Sequence, residues 1–268
     1  MSFGAFYLGE ASIDPIIERR ERAGRWRDYF DLQLRFAETI SDRRDIPFAD
    51  AVTHYTNFRR RFGLGRFDEG GGSADWGRYL DGLAACDSRE RRRAWTQEFY
   101  VQAPAERLRE DWPTFGCFGS EPPNEHGIVR PHFINADSDG GIGPLRREKI
   151  DRRRAELRQL FAHIKAVYPA AARVRGVSWL YHLEAYRRLF PPAYTAGRAV
   201  ATGRLRYDGG AVWGQFLDHA ENVRSDRRER FIDNLKHLDP DRLWQAFPYP
   251  VQWTEAPIAV FHDFYGMD

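Results

Sequence analysis

At 268 residues the chain can hold one large domain or two small ones, with a core that needs neither disulfides nor structural metal. Its 41 basic and 39 acidic residues leave a net charge of +2, too small to point to a nucleic-acid partner. No apolar run reaches the length of a membrane helix, and 8 Trp, 12 Tyr and 19 Phe argue against disorder.

Only three of the basic residues are lysines (Lys149, Lys165 and Lys236), an arginine bias typical of a GC-rich genome. The arginine clusters at 89–93, 146–154 and 224–230 are interrupted by acids, the pattern of solvated helix faces. The first ten residues lack a basic region and a long apolar stretch, so no secretory leader is expected. Two cysteines, Cys86 and Cys117, can make neither a disulfide framework nor a four-thiolate zinc site. The expectation is a cytoplasmic protein with reduced thiols.

The first hundred residues read as helices. Asp14-Pro15 starts one; Tyr29 to Ile40 carries a broad apolar face; Val52, Tyr55, Phe58 and Phe62 keep helical spacing. Gly70-Gly71-Gly72 marks a loop, and Asp75–Leu83 and Ser88–Tyr100 are further helices, Ser88 serving as an N-cap. Arg60-Arg61-Phe62-Gly63-Leu64-Gly65 follows a helix and precedes a glycine-rich loop, so it reads as a helix end capped by Gly63.

After Trp112-Pro113 the periodicity changes. Thr114–Phe118 and Ile128–Asn135 are strand-like, Pro131 assigning the second to an edge or bulge. Gly143-Pro144 is placed to open a long helix with Ile150, Leu157, Leu160, Phe161 and Ile164 on one face, ended by Pro169. Arg173–Val177 is a short strand and Ser178–Phe190 an amphipathic helix. Arg198–Tyr207 and Ala211–Leu217 are placed to pair across Asp208-Gly209-Gly210. Ser225–Leu238 is a helix, and the aromatic tail Val251–Tyr265 is expected on the sheet. The predicted class is α+β: a helical region over 1–112, then a mixed sheet with packed helices over 113–268.

The loop from Asn135 begins like a calcium loop, with alternating oxygens and a glycine at the sixth position. Its twelfth position, which should be a bidentate glutamate, is Arg146, and no helical pair of histidines occurs, so no metal is expected. The loop reads instead as a tight turn or a substrate-facing segment, with Asn135 and Asp139 as ligand-binding candidates. His132 precedes it at a strand end and His182 follows another strand. Both are candidates for a proton-transferring base in one cleft, with Trp179, Tyr181 and Glu184 as substrate-binding neighbours.

From Ile128 to Trp253 one order of features stands out. A strand holds His132, Gly143-Pro144-Leu145 opens a helix, Phe161-Ala162 and Pro169 follow, then a strand, Ser178-Trp179-Leu180 and Leu189-Phe190-Pro191-Pro192. This order resembles the C-terminal domain of GNAT-like acyltransferases of bacteria. The resemblance implies a GNAT-like sheet, an acyl-CoA-like donor and a small-molecule amine or hydroxyl as acceptor. The alternative is a ligand- or protein-binding protein on the same fold without catalysis.

Overall fold

Helix-favouring sequence fills the first hundred residues, and no strand precedes Thr114 among the described residues. The computed structural model describes residues 15–65, 73–103, 112–137, 141–203 and 205–267. The expected helix start at Asp14 and the glycine loop at 70–72 therefore lie outside the described residues.

Among the described residues six helices come first: α1 (Pro15–Arg25), α2 (Arg27–Arg44), α3 (Phe48–Tyr55), α4 (Phe58–Arg61), α5 (Ala74–Ala84) and α6 (Arg89–Gln102). Ser88 caps α6 by accepting the Arg91 amide at 3.3 Å. α2 is buried at every position from Tyr29 to Leu34, which marks it as the central helix of this layer. Its polar members are satisfied locally. Gln33 accepts the Asn57 amide at 2.8 Å, and Asn57 donates to the Tyr29 hydroxyl at 2.7 Å.

The rest of the chain supplies β1 (Thr114–Phe115), β2 (Phe118–Ser120), β3 (Ile128–Val129), β4 (Pro131–Phe133), α7 (Ile150–Val167), β5 (Arg173–Ser178), α8 (Glu184–Arg187), α9 (Pro192–Ala196), β6 (Ala199–Val200), α10 (Gly210–Trp213), α11 (Ser225–Lys236), β7 (Gln252–Pro257) and α12 (Ala259–Phe264). Strands β1-β2-β4 form one antiparallel sheet. The second has order β3-β5-β7-β6, with β3 parallel to β5 and the other pairs antiparallel. The fold is α+β, as predicted.

Two hydrophobic clusters organise these elements. α2 and its neighbours build the first, and the chain returns to it between Tyr207 and Val251. Phe36 alone contacts the rings of Tyr55, Tyr207, Trp213, Phe231 and Phe247. A buried Phe is worth about 3–5 kcal/mol against alanine, so this ring ties the two ends of the helical layer together. The second cluster packs Leu157, Leu160, Phe161 and Ile164 of α7 on the sheets, with Tyr181, Tyr186 and Tyr194.

Several predicted elements take another form. The 198–217 hairpin does not form. Among its described residues only Ala199 and Val200 are strand, paired to Trp253 and Gln252 of β7, while Gly210–Trp213 turns helical to bury Val212 and Trp213 in the first cluster. Ile128–Asn135 splits at Arg130, so that β3 and β4 join different sheets, Pro131 lying on the edge strand. α7 opens at Ile150 rather than Gly143, because turns and a 3-10 segment over Arg147–Lys149 intervene. Ser178–Phe190 breaks into a 3-10 turn, Trp179–His182, and α8. Leu183 is extended between them, and the Tyr181 and His182 carbonyls both accept from Arg187.

α7 is fastened to the β1–β2 hairpin by a buried ionic cluster. Arg153, 1% exposed, donates to Asp137 at 2.6 Å and to Glu156 at 2.7 Å, and also meets the Cys117 sulfur. Glu156 accepts the Cys117 amide at 3.0 Å. Lys149 adds a second cation on Asp137 at 2.7 Å. Every charge in the cluster is met by an opposite one, the condition under which buried ions are tolerated.

Candidate functional site

The residues singled out in the sequence are distributed over several places. His132, on β4, stacks on Trp112 with ring centroids 4.5 Å apart, and its Nε2 pairs with Glu121 at 3.0 Å. His182 ends the Trp179–His182 turn. Its ring stacks on Tyr249 at 5.1 Å and its Nε2–H donates to the Pro250 carbonyl at 2.7 Å. No hydrogen bond or ring contact joins the two histidines among the described residues. Trp179 also stacks on Tyr249, at 6.2 Å, so the structure brings Trp179 and His182 onto one ring.

Tyr181 is a core residue, 1% exposed, with its hydroxyl 2.7 Å from that of Tyr194. Burial pushes the hydroxyls of Tyr181 and Tyr194 well above their ordinary range, which keeps both neutral. Glu184 is exposed at the first position of α8. Asn135 donates to the His219 carbonyl at 2.8 Å, and His219 donates to the Gly141 carbonyl at 2.6 Å, so this loop is fastened to the segment before α11. Asp139 lies outside the described residues. Asp137 is turned inward onto Lys149, Arg152 and Arg153, so its carboxylate is committed to cations of the protein.

Gly63 has φ +72°, the left-handed conformation of a helix end. Its amide and that of Leu64 donate to the Arg60 and Arg59 carbonyls, each at 3.0 Å. Those amides are spent inside the chain. This is the helix end that the sequence over 60–65 predicts.

A cleft of about 630 Å³ opens elsewhere, in the helical layer. Arg44 at the end of α2 and Tyr55 of α3 line it together with Gly203, Tyr207, Asp241 and Trp244. Its floor is aromatic: the Tyr55 and Tyr207 rings lie 5.8 Å apart, and Tyr207 stacks on Phe247 at 5.9 Å. Arg44 donates to the Tyr55 hydroxyl at 2.8 Å and to the Pro240 carbonyl at 3.0 Å. Arg206 is paired with Asp208 through two contacts, at 3.1 and 2.6 Å. Burial pushes the Tyr207 phenol up to about 12, opposed by the charge of Arg44. The cleft thus offers an apolar ring floor with a cation and the exposed carboxylate of Asp241 at its margin.

A second cleft, of about 660 Å³, is lined mostly by polar and charged groups, among which Glu38 takes both Arg89 and Arg92. Rings and unlike charges around a ligand-sized space are the usual make-up of a small-molecule site, which favours the first cleft. Sequence reading missed it because its walls come from four separate stretches. The one local signal was the aromatic pair of Tyr207 and Trp244 in segments otherwise polar.

No protein-family model, curated protein or solved structure matches the chain. No group of three or more His, Cys, Asp or Glu side chains is placed to hold a metal, and no helix is long and apolar enough to cross a membrane, among the described residues.

Proposed function

We propose that the protein binds a small molecule in the cleft between α3 and the 202–208 segment. The ligand class is an organic molecule with a planar or apolar body and charged groups of both signs. The observation that carries this reading is the Tyr55–Tyr207 floor with Arg44 and Asp241 at its margin. Rings supply contact area at low conformational cost, and the opposite charges orient the ligand ends.

The test uses a space-filling variant. Gly203 lines the cleft, and a Cβ built on it meets nothing within 4 Å, so Gly203→Trp places bulk in the cleft without a clash at its root. A thermal-shift screen of amino acids, aromatic amines and aromatic carboxylates is run on both proteins. The expected result is stabilisation of the native protein by members that do not stabilise Gly203→Trp, since a ligand bound to the native state raises its stability. Equal shifts in both proteins would refute the placement of the site.

A further inference from the structure

Three helices converge on the second cleft: α2 brings Arg35 and Glu38, α6 brings Arg89 and Arg92, and α11 brings Ile232 and Leu235. Glu38 is shared between the two arginines of α6. Its Oε2 accepts from Arg89 Nε at 2.7 Å and its Oε1 from Arg92 Nη1 at 3.1 Å, so two guanidinium groups are held one carboxylate apart. Phe48 of α3 steadies the second of them, the Arg92 guanidinium lying 4.7 Å from its ring centroid.

The pairing leaves donors over. Arg89 gives Glu38 only its Nε, and Arg35 likewise gives only Nε to Asp31, at 2.6 Å. The terminal nitrogens of both have no hydrogen-bond acceptor among the described residues. Those nitrogens form the edge with which a guanidinium holds a carboxylate through two parallel bonds. Glu38 is largely covered, at 16% side-chain exposure, whereas Arg89, at 44%, stays accessible. Around Glu38 the charges of Arg89 and Arg92 therefore exceed that of the single carboxylate. Lys236, also on the lining, is taken by Asp233 at 2.9 Å. Asp42, one turn beyond Glu38 on α2, is a second carboxylate of the lining and sets a limit: a ligand with more than one negative charge would be repelled there.

We infer that this cleft binds a small organic monoanion, a carboxylate on an aliphatic body, at a site that shares no lining residue with the aromatic cleft. Glu38 itself shows which anionic group the α6 arginines accept. The ligand carboxylate takes the open edge of Arg89, Arg35 adds charge from α2, and the aliphatic body lies against Ile232 and Leu235. The ion pairs to Glu38 and Asp31 hold both guanidinium groups before the ligand arrives, which lowers the ordering cost of binding.

The experiment is calorimetric titration of hexanoate into the full chain at neutral pH and low ionic strength, beside hexanol, which has the same body without the charge. The native protein is expected to bind one hexanoate, with hexanol at least about tenfold weaker, the effect of the lost charge-assisted bonds. Arg89→Gln should weaken hexanoate binding about tenfold for the same reason, while keeping the circular dichroism of the native protein. Arg91→Gln makes the same change of net charge at an exposed position of α6 and should leave binding unchanged. Glu38→Gln removes the competing carboxylate and should tighten binding, a gain that a merely structural role for Glu38 would not produce; should it fail to fold, Arg89→Gln against Arg91→Gln still decides. Gly203→Trp, which fills the aromatic cleft, should leave hexanoate binding intact. No hexanoate binding by the native protein, equal binding of hexanol, equal effects of Arg89→Gln and Arg91→Gln, or loss of binding in Gly203→Trp would each overturn the proposal.

Discussion

Gly116 sits in the turn between β1 and β2 with φ +58°, and a Cβ built there overlaps the carboxyl of Glu156. Gly116→Ala therefore combines two penalties. A non-glycine residue in the left-handed region costs about 1–2 kcal/mol. The greater penalty comes from the displaced carboxyl, which must leave the Cys117 amide and Arg153. Breaking a buried ion pair on one side costs about 3–5 kcal/mol, and Asp137 remains on Arg153 to hold this to the lower part of that range. The expected total is about 4–6 kcal/mol. At about 2–4 °C per kcal/mol for a chain of this size, the melting temperature should fall by roughly 10–20 °C. Differential scanning calorimetry of Gly116→Ala beside Gly77→Ala provides the comparison. Gly77 lies inside α5, where a Cβ meets nothing within 4 Å, so alanine there should be neutral or stabilising. If Gly116→Ala melts within a couple of degrees of the native protein, Glu156 is not the fastening of α7 to the hairpin and the reasoning fails.

The two thiols should separate kinetically, because burial pushes the Cys117 thiol up whereas Cys86 is half-exposed. A disulfide reagent should titrate one thiol rapidly in the folded protein and the second only in denaturant; two fast thiols would contradict the packing of Cys117. Tyr181→Phe should cost about 1 kcal/mol through loss of the bond to Tyr194, read by urea unfolding, and should leave ligand-induced thermal shifts intact. The hydrogen bond from Lys149, helped by Arg153 and Arg152, holds the Asp137 carboxyl below its usual range; burial raises Glu255, but Arg175 and Arg173 outweigh it and bring it down. Both folded-state values are depressed, so the stability they confer is complete above the ordinary carboxylate range and is lost as pH falls through the lowered values. Melting temperature should stay level from neutral pH to about 5 and drop below about 4. The drop should be smaller in Asp137→Asn, and a rise on acidification would reverse the assigned sign.

Much of the helical layer was legible because its apolar residues repeat at helical spacing, from Tyr29 to Ile40 and again from Ser225 to Leu238. The failures have a common physical origin in tertiary burial. Asp208-Gly209-Gly210 is a local hairpin signal, yet burying Val212 and Trp213 in the first cluster makes a helical turn there instead. Arg153 and Arg227 looked like members of solvated charge runs. Their spacing was the overlooked clue: Arg153 shares its face with Leu157, Leu160 and Ile164, and Arg227 lies four and eight residues before Phe231 and Leu235, all buried. Of the candidate site residues, Trp179 and His182 meet on Tyr249, a ring between Pro248 and Pro250 whose position no periodicity foretells. The aromatic cleft was illegible for a simpler reason, since Arg44, Tyr55, Tyr207 and Trp244 are brought together only by the return of the chain to the first cluster.

The most direct test of small-molecule binding is a crystal structure of the full chain with the most stabilising compound from the screen. The account predicts that compound seated on the Tyr55 and Tyr207 rings, with its anionic group toward Arg44 and its cationic group toward Asp241. A compound found elsewhere on the protein, with the cleft closed by its own side chains, would contradict it.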